Sequence, residues 1–218
     1  MHITVRGYAE QRFAAERASL RLVAAIEGPE RAPVFAEATG LLEPVQHALR
    51  DLAEQQAVTD WWTDQVRMEA RRPWRDGRPA ESAVHTARLS VQAVFVDFEQ
   101  LAAFLDRWGP QAGLEVTSLE WDVDEARRPA YEAQVRRRAV EDAVTKAQAY
   151  ADAVRAHHAA RRVTPLELAD AGMLSGDGTH RPEPIAMAAA SGAASAPLEL
   201  APQDVVVAVA VDGRFVAE

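Results

Sequence analysis

Cysteine is absent from all 218 residues, which excludes disulfides, thiolate nucleophiles and cysteine-type zinc sites. No window approaches the ~18 uninterrupted apolar residues of a membrane-spanning helix, so no membrane partner is expected. Positive charge is in deficit, with 24 basic against 33 acidic side chains and a net charge of −9. Such a field repels polyanions unless the basic groups are segregated, and this disfavours nucleic acid. The chain also lacks a nucleophile elbow, a P-loop and a G-x-G-x-x-G fingerprint. Before the first strand there is no basic segment followed by an apolar one, and a cytoplasmic address is the expectation.

What is present is a succession of strand and helix patterns, in a composition ordinary for a globular protein (48% apolar, 26% charged). Ile3, Val5, Gly7 and Ala9 share one face of an opening strand. Ala18, Leu20, Leu22, Ala24 and Ile26 share one face of a second, stopped by Gly28-Pro29. Val34, Ala38, Leu41, Leu42, Val45, Leu49 and Leu52 then fall at helical spacing. Pro44 lies inside this run and predicts a kink rather than two helices, because the stripe keeps phase. Val58 to Ala70 and Ala83 to Phe95 form a long hairpin with the basic tip 71–79, where Asp76-Gly77 is the turn signal. Asp97, with Gln100 three residues on, starts a short helix with the stripe Leu101, Phe104, Leu105 and Trp108.

Leu114 to Val123 changes apolar phase near Thr117-Ser118, as a β-bulge would make it do. The longest helix is expected from Pro129 to Ala160. Its stripe is Tyr131, Val135, Ala139, Ala143, Ala147 and Ala151, with Val140, Val144 and Val154 alongside. A short strand, Val163 to Ala169, precedes a Gly-, Ala-, Ser- and Pro-rich excursion at 170–202, expected to be flexible. The final run, Val205 to Val211, is apolar on both faces, so it should lie inside a covered sheet or at a subunit contact. The reading is α+β: a single domain over 1–218, one continuous antiparallel sheet with helices mainly on one face, in the order ββαββαβαβ-(long loop)-β.

These segments resemble the SIMPL domain family, formerly a domain of unknown function. Ile3-Thr4-Val5-Arg6-Gly7-Tyr8-Ala9-Glu10 is similar to its I-x-V-x-G-x-G strand, and Glu16-Arg17-Ala18 to its P-D-x-A element. Leu89-Ser90-Val91 and Asp97-Phe98-Glu99-Gln100-Leu101 resemble its middle section. Ala143-Val144-Thr145-Lys146-Ala147-Gln148-Ala149-Tyr150-Ala151 is similar to its A-x-x-K-A-x-x-x-A helix, and 197–211 to its closing strand. Ala9 stands where the family has glycine, and Arg155-Ala156-His157-His158 where it has a Gly-x-x-Leu-Gly turn. The resemblance implies no catalytic activity, and assembly into oligomers. It also implies a bacterial protein, with links to stress responses or to a signalling-adaptor role.

The candidate chemical groups read more simply as structure. His157-His158 point about 100° apart on a helix, which is not the spacing of a metal pair. Asp122, Asp124 and Glu125 lack the further ligands of a calcium loop. No catalytic, cofactor or metal residue is therefore assigned, and a non-enzymatic role is expected. Interleaved arginine and tryptophan suit a protein contact instead. The expected interaction surface is Trp62, Trp74, Arg75, Arg136, Arg137, Val206 and Val207, serving a homo-oligomer or a protein partner. The competing reading is a small-molecule or metal-ion binder with a mobile lid at 170–202.

Overall fold

A computed structural model describes residues 1–72, 74–75, 78–79, 82–154, 162–174 and 200–218, with backbone alone at 74–75 and 78–79. The first half holds strands β1 (His2–Phe13) and β2 (Arg17–Gly28), helix α1 (Arg31–Glu54) and strand β3 (Val58–Arg71). Two-residue strands β4 (Trp74–Arg75) and β5 (Arg78–Pro79) lead to β6 (Val84–Phe95). Then come α2 (Phe98–Trp108), β7 (Leu114–Asp122), α3 (Arg128–Ala153), β8 (Val163–Asp170) and β9 (Val205–Ala217). The α+β class is as the periodicities predict, and so is the order of elements apart from the two-residue strands β4 and β5. The single continuous sheet is not. The long strands form a three-stranded sheet, β1-β9-β8, and a four-stranded sheet, β3-β6-β2-β7, in two separate compact units.

The unit built on β2, β3, β6 and β7 has the larger core. Ala18, Leu20, Leu22 and Ala24 of β2 and Ala87, Leu89, Val91, Ala93 and Phe95 of β6 face α1 and α2. From α1 the buried side chains are Val34, Ala38, Leu42, Val45 and Leu49, in one unbroken helix that contains Pro44. Helix α2 begins where Asp97 Oδ1 accepts the Glu99 and Gln100 amides at 3.0 and 3.1 Å, and it buries Leu101, Phe104, Leu105 and Trp108. The phase change in β7 is a register shift that leaves Thr117 outside the pairing with β2, as expected of a bulge.

Strand β3 departs from simple alternation. Its pairing with β6 shifts twice, at Val58/Asp60 and at Thr63/Gln65. Each extra residue inverts the faces, so Trp61 packs on the core and Trp62 is exposed on the other side. Past the second shift Val66 and Met68 are back on the core-facing side, Met68 packed and Val66 exposed. The hairpin itself is confirmed by antiparallel pairing of β3 with β6 and of Trp74–Arg75 with Arg78–Pro79. The turn expected at Asp76-Gly77 lies outside the described residues.

The other unit lays α3 across β1 and β9. Ile3 and Val5 of β1 and Val211, Phe215 and Ala217 of β9 meet Ala139, Ala143, Ala147 and Ala151. The alanine stripe is buried as expected, together with Val135. Val144 and Val154, expected beside it, are exposed instead. Helix α3 ends at Ala153 with Val154 as its C-cap, and residues 155–160 of the expected helix lie outside the described residues. β9 is the central strand of its sheet and runs six residues beyond Val211, to Ala217. Of the expected excursion at 170–202, residue 170 closes β8 and 171–174 form a turn around Gly172, with φ +90°. Residues 200–203 are described, and Leu200 packs on the larger core. The bulk of the excursion lies outside the described residues.

Candidate interaction surface

In the three-stranded sheet, α3 covers the face of Ile3, Val5, Val211 and Phe215, and the register puts the alternate residues on the other face. There Tyr8 pairs with Ala210, Glu10 with Ala208 and Arg12 with Val206. Val206 is 52% exposed and Tyr8 46%. β9 therefore presents Val206, Ala208 and Ala210 in a row on its open face, with a tyrosine beside them, along a stretch that pairs with β1 before β8 joins at Val211. The Tyr8 hydroxyl donates to Glu10 Oε2 at 2.7 Å, and that hydrogen bond raises the phenol above its ordinary pKa.

Further along the same face, Asp212 is buried inside the β1–β9 pairing. Arg6 Nε reaches its Oδ1 at 2.7 Å and Nη2 reaches Oδ2 at 3.2 Å. The Gly172 amide donates to Oδ2 at 2.7 Å, which ties the turn after β8 to the sheet. The arginine first, and then this amide, hold the Asp212 carboxyl below the usual carboxylate range against the opposing effect of burial.

The four outer strands are all blunted. On the open edge of β1, the Tyr8 amide donates to Asp142 Oδ2 at 2.8 Å, and Lys146 Nζ donates to the Arg6 carbonyl at 3.1 Å. Asp142 and Lys146 are themselves paired at 2.6 Å, one turn apart on α3. The lysine and the Tyr8 amide lower the Asp142 pKa. On β8, Gln148 Oε1 accepts the Val163 amide at 3.2 Å, Pro165 has no amide hydrogen, and the pairing shifts between Pro165 and Glu167. β3 and β7, the outer strands of the other sheet, carry the bulges already described. Plugs, proline and bulges are the devices that keep a sheet edge from accepting a further strand.

The residues expected to form one interaction surface are divided between the two units. Arg136 and Arg137 lie exposed on α3 and Val206 is exposed on β9. Trp62 is 44% exposed on β3. The side chains of Trp74 and Arg75 lie outside the described residues. Val207 is a correction: it is buried on the side of β9 opposite to Val206, because successive strand residues point to opposite faces. Asp142, Lys146 and Asp212 were not singled out by sequence reasoning. The Lys-Ala step of α3 was visible, but its target is a strand about 140 residues away in the chain. Among the described residues no group of three or more His, Asp or Glu side chains could hold a metal ion. Nor is any described helix long and apolar enough to cross a membrane.

Comparison with known families agrees with the resemblance read from the sequence. The model of the SIMPL family, described as a protein of unknown function (DUF541), matches residues 3–215. No curated protein matches the chain. This chain belongs to the SIMPL family, and the match runs through both compact units.

Proposed function

We propose that this SIMPL-family chain is a non-enzymatic protein-binding module that self-associates through sheet faces rather than sheet edges. One observation carries the reading: the open face of β9, where Val206, Ala208 and Ala210 stand beside Tyr8 with Val206 half exposed. A strand that is apolar on both sides gains by having its second face covered. The plugged edge of β1 and the proline and register shift on β8 support the same direction, since they hinder strand addition at those edges. The surrounding Glu10, Arg12 and Arg6 supply a polar rim of the kind that borders protein contacts.

A scaffold or stress-linked signalling role, working through such contacts in the cytoplasm, is the biological form of this proposal. Cell fractionation checks the compartment. Light scattering checks the assembly: the wild-type chain at about tens of micromolar should be oligomeric, and Val206→Glu should shift it toward monomer. Burying an unpaired carboxylate in an apolar contact costs more than the contact returns. A wild-type chain that stays strictly monomeric, or an oligomer indifferent to the substitution, would remove the proposal.

A further inference from the structure

The face of the four-stranded sheet turned away from α1 and α2 carries a small cup. Its floor is Val23 and Ser90, 6% and 4% exposed, on the two central strands. Its walls are Arg21, Arg67, Arg88, Gln65 and Thr117, and it encloses about 250 Å³. The two bulges shape it. The shift between Thr63 and Gln65 takes Asp64 out of the pairing and lets the Gln65 amide donate to Ser90 Oγ at 3.2 Å. The shift opposite Arg21 and Leu22 frees Thr117, whose Oγ1 donates to the Arg21 carbonyl at 3.4 Å.

Three guanidinium groups line this cup and no carboxylate does. Their acidic partners stand outside the lining. Asp64 lies 2.8 Å from Arg21 Nη2, Glu115 3.0 Å from Arg88 Nη2, and Glu69 3.7 Å from Arg67 Nε. A guanidinium carries five N–H donors and a carboxylate accepts at most a fork of two, so each arginine keeps donors for a second acceptor. The outer carboxylates offset the repulsion among the three cations without filling the space between them. The positive field is local, in a chain whose net charge is −9.

We infer that this cup binds a small multivalent oxyanion. Arg21, Arg67 and Arg88 supply the charge, and the Ser90 hydroxyl and the Gln65 side-chain carboxamide supply neutral donors at the floor and wall. The volume lies below that of ordinary pockets for drug-sized ligands, which favours a phosphate or a short dicarboxylate over a nucleotide. This inference is independent of self-association.

Isothermal titration of the full chain with inorganic phosphate, and separately with malonate, tests it at ionic strength held constant with sodium chloride. The expected result is saturable binding of at least one probe, and which one binds tells a phosphoryl ligand from a dicarboxylate. Arg88→Gln should weaken binding by about tenfold or more, the loss expected for a charge-assisted hydrogen bond. Arg67→Gln, whose acidic contact is the longest of the three, should do the same with an unchanged circular dichroism spectrum, and it carries the test if Arg88→Gln fails to fold. Absence of saturable binding of both probes up to about 10 mM, or affinities unchanged in folded variants, overturns the inference.

Discussion

Gly7 lies where α3 passes close over β1. A Cβ built there would run into the Ala139 carbonyl oxygen and come within 2.8 Å of the Ala143 Cβ. The obstacle is helix backbone, which cannot swing aside as a side-chain end can. Relief requires α3 to lift off a core in which alanine already brings the helix close to the strands. Gly7→Ala is therefore expected to cost about 3 kcal/mol, the upper part of the range for overpacked cores. Urea denaturation checks this, and an unchanged midpoint would show that α3 yields freely. The glycine and the alanine stripe were both legible in the sequence. Their meeting was not, because periodicity gives the face of each element and not the partner that face meets. Asp212 was missed for a related reason: it follows an apolar run that reads as the end of a strand, and only the register with β1 brings Arg6 to it.

At the level of the element, edge protection explains several features that packing alone leaves without a cause. Asp142 and Lys146 lie one turn apart on α3, and together they satisfy one amide and one carbonyl on the outer edge of β1. Replacing Lys146 with methionine keeps the stem that covers the strand and removes the donor to the Arg6 carbonyl. Stability is expected to fall by about 1 kcal/mol, the net worth of a typical hydrogen bond. The freed edge should also show as faster thioflavin-positive aggregation on mild heating. Equal aggregation rates for the two chains would mean that the plug has no protective role. Elements whose patterns are local were read correctly: the Asp97 cap, the α2 stripe and the bulge at Thr117 each need only a few neighbouring residues. β3 was harder, because two bulges within seven residues return the strand to its original phase and hide each other from a search for alternation. The cup was invisible for a different reason, since its arginines come from three strands separated by a helix and a hairpin.

Over the whole molecule, chain connectivity distributes the two compact units unequally. The unit on β1, β8, β9 and α3 is assembled from segments at both ends of the chain, and its β1–β9 ladder pairs His2 with Val216. The other unit is almost continuous: 14–123 contains β2 to β7, α1 and α2, and all of the larger core except the packing of Leu200. A segment of that length with its own apolar core is within the ordinary size of an independent domain. Residues 14–123 expressed alone are therefore expected to give a mixed α/β circular dichroism spectrum and a single cooperative urea transition. The slope should be about 1–2 kcal/mol per molar, as for other small domains. The cup lies wholly within this segment, so the fragment should keep the oxyanion affinity of the full chain while losing the β9 face and any self-association that depends on Val206. A fragment without a cooperative transition would show instead that the 218 residues fold as one unit. The family match from residue 3 to residue 215 would then mark the limits of a single folding unit as well as of a family.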